Sequence, residues 1–183
     1  MKGKPLLLSP FSYQAQSYII HLLVQPNFTT KMADNAMNTE LRQKLITGCK
    51  EAKEMSYSPY SKFRVGAALL TKDNHIFKGC NVENASYGVT ICAEQVALTK
   101  AVSEGHLEFK AIAITCDNKD KFLAPCGTCR QVMSEFGDMQ VYLVKENEWK
   151  KSSVKELLPL TFGKEDLDED RSSNLHEEGK EEV

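Results

Sequence analysis

The amino-acid sequence predicts a layered α/β domain built on a mixed sheet. Segments rich in Val, Ala, Ile and Leu alternate with segments of helical period between residues 38 and 163, the pattern of a sheet covered by helices. Two of the strand-like segments are joined by the short turn Asp73-Asn74, which makes that pair a hairpin. The chain has 183 residues, 42% hydrophobic and 26% charged, enough for one soluble core with residues to spare.

Asn38 to Met55 reads as the first helix, because Leu41, Leu45, Cys49 and Ala52 recur at helical spacing and Asn38 or Thr39 can cap it. Ser58-Pro59-Tyr60-Ser61 breaks it. Phe63 to Thr71 and His75 to Cys80 form the hairpin strands, and Asn81 to Gly88 is a polar loop. Ile91 to Ser103 is a helix with Val96, Ala97 and Ala101 on its apolar side, ended by Gly105. Phe109 to Thr115 is a buried strand, Cys126 to Phe136 a helix stopped by Gly137, and Met139 to Lys145 a further strand. Leu157 to Phe162 is expected to pack the C-terminal end of the domain.

Both termini read as appendages. Residues 1–37 show neither period and are punctuated by Pro, Ser, Thr and Asn. They are expected to be a disordered extension, with Met32 or Met37 as an alternative start. Acidic residues are nearly absent there, as in a transit peptide, but so is arginine. Residues 164–183 hold nine acidic and three basic side chains and predict a solvated, largely disordered tail. The rest carries a small, scattered positive surplus, which argues against a nucleic-acid footprint. Pro10 cuts short the apolar run Leu6-Leu7-Leu8, and Tyr18 to Val24 is too short to cross a bilayer. No membrane partner is expected.

Six cysteines would allow three disulfides, but a secreted framework normally accompanies a signal peptide and a small, loop-rich domain. A reducing compartment fits better, either the cytoplasm alone or the cytoplasm and nucleus. Cys49, Cys80 and Cys116 are then expected to be small buried thiols.

The other three cysteines concentrate the chemistry, in Cys92-Ala93-Glu94 and Pro125-Cys126-Gly127-Thr128-Cys129. Cys92, Cys126 and Cys129 supply three thiolates for Zn²⁺, and three protein ligands leave one position for water. Cys126 and Cys129 share one side of a helical turn, and both Cys92 and Cys126 fall at helix starts, where the backbone favours thiolate. Zinc lowers the pKa of a bound water to about 7. Glu94, two residues beyond a ligand, can lie beside the metal without binding it and move protons for a hydrolytic deamination. Structural zinc is the competing reading, since Cys-x-x-Cys pairs are common in zinc knuckles. It needs a fourth ligand, and nothing in the spacing of Cys116 or His106 recommends either.

Further runs join this pair of motifs in order: Ser58-Pro59-Tyr60-Ser61, Val65 to Leu70, Gly79 to Ala85, Arg130-Gln131, Leu157-Leu158-Pro159 and Phe162-Gly163. Together they resemble the small, homotetrameric, three-cysteine cytidine deaminases over about 38–167. The resemblance implies a three-layer α/β/α sandwich with a five-stranded mixed sheet over 38–163, one Zn²⁺ per subunit and Glu94 as the catalytic residue. It implies a nucleoside-binding loop of Asn81, Val82, Glu83, Asn84, Ala85, Ser86 and Tyr87, with Asn81 and Glu83 on the ribose hydroxyls. Phe63 would pack on the pyrimidine and the Ala93 N–H would meet the base carbonyl. Ala85 and Tyr87 would line the pocket of an adjoining subunit, and Phe162 would reach into a neighbour's site. Without the resemblance, Phe63 reads as a core residue and Asn81 and Glu83 as a solvated loop.

Two positions depart from the family pattern. Gln95 stands where an arginine usually follows Cys-Ala-Glu. Three thiolates on Zn²⁺ leave a net negative charge that an arginine would offset, so Gln95 predicts reduced turnover at neutral pH unless Arg130 supplies part of the charge. Arg64 stands where proline is usual and brings a charge close to the pocket entrance.

The expected function is zinc-dependent hydrolysis of cytidine and deoxycytidine to uridine and deoxyuridine. A polynucleotide deaminase would need a basic, aromatic groove, and none is visible. A deaminase of an aminopyrimidine antibiotic would share the metal motif. A catalytically silent nucleoside-binding homologue that assembles with active subunits is the alternative from another class; Gln95 favours it and Glu94 opposes it.

Overall fold

The structure, a computed structural model, describes residues 37–167. Apart from Met37 and residues 164–167, the N-terminal extension, the alternative start and the acidic tail expected from the sequence lie outside the described residues. The fold belongs to the unit that begins at Thr39. Its elements are α1 (Thr39–Glu54), β1 (Val65–Thr71), β2 (Ile76–Cys80), α2 (Ala93–Ser103), β3 (Phe109–Cys116), α3 (Gly127–Ser134), β4 (Gln140–Lys145), β5 (Glu148–Ser153) and α4 (Val154–Leu157).

The five strands form one mixed sheet in the order β2-β1-β3-β4-β5. β3 and β4 are parallel, joined by a crossover through α3, and the other neighbours are antiparallel. One face packs on α1 through Leu45, Cys49 and Ala52, all buried. The other face carries Ala67, Leu69, Ile112, Ile114, Val141 and Leu143 against Ala97, Leu98 and Ala101 of α2 and Met133 of α3. This is the three-layer sandwich that the resemblance implied.

Two glycines set how closely the helices approach. A Cβ on Gly66 of β1 would overlap the backbone of Cys49 and Lys53 in α1. A Cβ on Gly79 of β2 would overlap the backbone of Ala93 and Ala97 in α2. Gly79 pairs with Ala67 and Gly66 with Cys80, so the two glycines open opposite faces of the sheet.

The structure departs from the sequence reading in five places, the first being the segment 157–162, where Leu157 packs against the core but Leu160 and Phe162 are exposed. β1 begins at Val65 rather than Phe63, because Lys62 takes a positive φ of 57° and the Phe63 N–H bonds the Ser61 hydroxyl instead of a strand. Leu98, not Val96, completes the buried side of α2. Cys49 and Cys116 are buried, as expected, but Cys80 is half-exposed on the outer strand β2. β5 and α4 went unread. The β5 sequence Glu148-Trp149-Lys150-Lys151-Ser152-Ser153 has no apolar alternation and is largely exposed, as suits an edge strand whose lysines discourage pairing with another chain. α4 then starts at a capping box, with Ser153 Oγ accepting the Glu156 N–H and the Glu156 carboxylate accepting the Ser153 N–H.

Arg64 turns to the α1 side. Its guanidinium binds both oxygens of Asp117 at 2.9 Å and one oxygen of Glu54 at 2.6 Å. Lys53 reaches Asp117 at 3.1 Å, and the Arg64 N–H donates to the same carboxylate at 3.2 Å, a bond proline could not make. The cluster ties the end of α1 to the start of β1 and the end of β3. It holds the Asp117 carboxyl at about 2, chiefly through Arg64 and then Lys53.

Two outcomes follow for stability. Gly79→Ala is expected to destabilise the fold by about 1–3 kcal/mol and to lower zinc content, because the new methyl group must displace the start of α2. Gly88→Ala, with nothing within 4 Å of its Cβ, is expected to do neither. Urea unfolding and metal analysis of both variants check this. Asp117→Asn is expected to cost about 1 kcal/mol at pH 7, after allowing for solvent screening. A depressed carboxyl stabilises above its unfolded value, near 4, and the stabilisation fades as pH falls through about 2. The difference between parent and variant should therefore shrink by about half at pH 3; a difference that stays constant from pH 7 to pH 3 contradicts the assignment.

Candidate active site

Two helix starts converge above the sheet. Cys92 is the N-cap of α2 and Cys126 the N-cap of α3, and Cys129 lies one turn into α3. Pro125, immediately before the second cap, is fully buried. The three sulfurs all lie within 4.8 Å of one another, and Cys92 Sγ stands 3.9 Å from Cys126 Sγ. Sulfurs on a tetrahedral zinc ion, each at 2.3 Å from it, are separated by about 3.8 Å. The donor set and its spacing therefore fit Zn²⁺.

The sulfurs lie close enough to share a proton. The Cys92 thiol falls to about 7, mainly because the Cys129 thiol donates a hydrogen bond to it. Cys129, buried and holding the shared proton, is pushed up. Glu94 in the first turn of α2 is 4% exposed. Its carboxyl is raised by burial, and it lies within hydrogen-bonding reach of Cys129.

A cleft of about 210 Å³ opens onto this group. Phe63, Asn81, Cys92, Ala93, Glu94 and Cys126 line it, as do Val65, Thr90, Ile91, Leu123 and Ala124, which the sequence reading did not single out. Leu123 and Ala124 directly precede Pro125-Cys126, so adjacency to a ligand was the available signal. Cys129 is fully buried. Val82, Glu83, Asn84, Ala85, Ser86, Tyr87 and Phe162 are not among the residues that line the cleft.

Asn81 works as a brace. Its Oδ1 accepts the Val65 N–H at 2.8 Å and the Ser56 hydroxyl at 2.5 Å, and its Nδ2 donates to the Phe63 carbonyl at 2.9 Å. It therefore fixes the backbone on both sides of residue 64 and keeps one amide hydrogen for another acceptor. Glu83 accepts the N–H groups of Tyr60 (2.9 Å) and Ser61 (3.2 Å) and the Ser61 hydroxyl, and these donors, Ser61 first, lower its pKa. The loop between them is pinned by Val82, which exchanges both backbone bonds with Ile91 at 3.0 Å, and Val82 also bridges Tyr57. Asn84 Oδ1 accepts the Ser86 N–H at 2.9 Å. Ala85 is exposed, Tyr87 opens a single 3₁₀ turn with its ring exposed, and Phe162 is also exposed.

Gln95 Oε1 accepts the Cys92 N–H at 3.3 Å and so braces the helix start that carries the first ligand. Arg130 spends Nε on the Pro125 carbonyl and Nη1 on the Leu157 carbonyl, both at 2.8 Å. It braces the loop before Cys126, and no hydrogen bond from it to a sulfur is present among the described residues.

The profile of the cytidine and deoxycytidylate deaminase zinc-binding region matches residues 39–145. A probable cytidine deaminase from Dictyostelium discoideum is 52% identical over 132 residues, covering 72% of this chain and 90% of the relative. A cytidine deaminase from Sporosarcina psychrophila is 50% identical over 128 residues, covering 68% and 93%. Among solved structures, the cytidine deaminase of Burkholderia pseudomallei superposes with a TM-score of 0.64 at 45% identity, over 69% of this chain and 100% of that one.

Proposed function

The chain belongs to the cytidine and deoxycytidylate deaminase family, and on that premise we propose that it hydrolyses cytidine and deoxycytidine to uridine and deoxyuridine with release of ammonia. The observation that carries this reading is the grouping of three thiols with one buried carboxylate at a cleft. Cys92, Cys126 and Cys129 would hold a zinc ion, which when bound would supply a water of lowered pKa as the nucleophile.

Glu94 moves the protons. Its carboxylate takes the first proton from the attacking water and delivers it to the ring nitrogen, then takes the second from the new hydroxyl and delivers it to the departing amine. The water oxygen ends on the ring carbon, and nitrogen leaves as ammonia. Burial suits the task, because a carboxyl shielded from solvent exchanges its proton with the substrate rather than with bulk water. In this reading the Ala93 N–H meets the base carbonyl, and Phe63, held by the Asn81 brace, packs on the face of the ring; both residues line the cleft. The free amide hydrogen of Asn81 and the remaining lone pair of Glu83 are the groups for the ribose hydroxyls.

The cleft of about 210 Å³ is smaller than the roughly 300 Å³ at which small-molecule pockets usually begin. Tyr87 (73% exposed) and Phe162 (62% exposed) lie outside it as large uncovered apolar surfaces. These features support a homotetramer in which Ala85, Tyr87 and Phe162 of neighbouring copies complete each pocket. Among the described residues no helix is long and apolar enough to cross a membrane, and a cytoplasmic protein acting on free nucleosides is the reading that fits. Gln95 carries no charge to offset the thiolates, which supports slower turnover at neutral pH than an arginine there would give.

The test is ammonia release from cytidine and deoxycytidine by the purified protein and by Glu94→Ala. The parent is expected to release ammonia, and the variant to lose about 10²–10⁴-fold in rate with its zinc content unchanged. Nucleoside binding without ammonia release by the parent, or a variant within a few-fold of it, overturns the proposal.

A further inference from the structure

A second cluster of metal-binding side chains lies away from the cysteines. Asp73, His75 and His106 each offer one ligand atom, and these atoms all lie within 4.8 Å of one another. Asp73 Oδ2 is 3.0 Å from His75 Nδ1 and Asp73 Oδ1 is 3.4 Å from His106 Nδ1. We propose that these three residues form a second metal site, for a divalent transition ion such as Zn²⁺. Asp73 and His75 come from the β1–β2 turn, and His106 follows the last turn of α2. The eleven residues of α2 separate this place from Cys92 at the helix start, about 16 Å along the axis, so the two sites hold separate ions.

The donors stand on fixed backbone. In the β1–β2 turn, Thr71 and His75 are joined by the Thr71 N–H to His75 carbonyl bond (3.0 Å), and the Thr71 hydroxyl accepts the His75 N–H (2.9 Å). The same hydroxyl donates to Asp73 Oδ1, which orients the carboxylate. Asn74 makes the bend with a positive φ of 74°. His106 is placed by the cap of α2: Gly105 has a φ of 89°, its N–H bonds the Val102 carbonyl, and the His106 N–H bonds the Ala101 carbonyl. That is the paired-bond ending in which glycine takes the left-handed position. The His106 ring also rests on Phe77, with centroids 5.2 Å apart.

The chemistry of the donors selects the ion. Two imidazoles and one carboxylate suit zinc, nickel, cobalt or copper and do not suit calcium or magnesium, which prefer oxygen. Ligand bonds of 2.0–2.2 Å put donor atoms roughly 3–4 Å apart, so small side-chain rotations from the present positions complete the set. His75 is 64% exposed at its side chain and His106 23%, which gives the ion access. The arrangement competing with metal is a hydrogen-bonded triad in which one carboxylate serves two imidazoles 4.9 Å apart. A bound ion would replace those two hydrogen bonds and tie the β1–β2 turn to the end of the helix that begins with Cys92.

The experiment titrates the zinc-loaded protein with Zn²⁺ by calorimetry, while ring-proton NMR signals of His75 and His106 are followed. One further ion per chain is expected, with both histidine signals shifting together. His106→Ala and Asp73→Asn are each expected to weaken this second binding about tenfold or more while the cysteine-bound zinc is retained. No further ion at millimolar zinc overturns the proposal. So does a second ion that binds without moving both histidine signals, or one whose affinity the two substitutions leave unchanged. The NMR reading keeps the test decisive if either variant folds poorly.

Discussion

The close approach of two helix starts governs the rest of this molecule. α2 and α3 each begin with a cysteine in the cap position, and a third cysteine one turn into α3 brings the sulfurs within 4.8 Å of one another. Nothing in helix propensity demands that meeting. It depends on the sheet: Gly79 lets α2 lie almost on the backbone of β2, and the parallel β3–α3–β4 crossover delivers α3 to the same face. Cap residues normally offer oxygen to the free N–H groups. Here sulfur occupies both cap positions.

The residues around the cluster serve largely as braces, and that explains why the departures from the family pattern fit. Gln95 takes the Cys92 N–H, Arg130 takes two backbone carbonyls, and Asn81 holds the chain on both sides of residue 64. Arg64 replaces a rigid proline with a rigid network: Asp117 accepts both its guanidinium and its backbone N–H. The charge that the sequence brings near the pocket is thus neutralised on the α1 side, and among the described residues Glu94 is the one acidic side chain that lines the cleft.

Much of this was legible in the sequence, for physical reasons. Helices α1, α2 and α3 announce themselves by period and by terminal signals such as Gly105 and Pro125, and the Cys126 to Cys129 spacing places two sulfurs on one turn. The Asp73-Asn74 turn gives the hairpin. β5 was hidden because an edge strand built of charged and hydroxyl side chains has no core face to show. The partners of Arg64, the exchange between Val82 and Ile91, and the cleft walls at Leu123 and Ala124 were hidden because they are set by tertiary contact or by neighbours in the loop. Without the resemblance, Phe63 reads as a core residue at the start of a strand because it is aromatic and opens an apolar run; the positive φ of Lys62 takes it out of the sheet and onto the cleft.

Deamination by this chain requires a zinc ion held by three of its sulfurs, with one coordination position left for water. X-ray absorption at the zinc edge, recorded on the His106→Ala protein so that the Asp73, His75 and His106 set adds no zinc signal, tests it most directly. One zinc per cysteine cluster is expected, with three sulfur neighbours at about 2.3 Å and one oxygen from solvent at about 2.0 Å. A fourth sulfur or an imidazole in that shell, or fewer than three sulfurs, would contradict it.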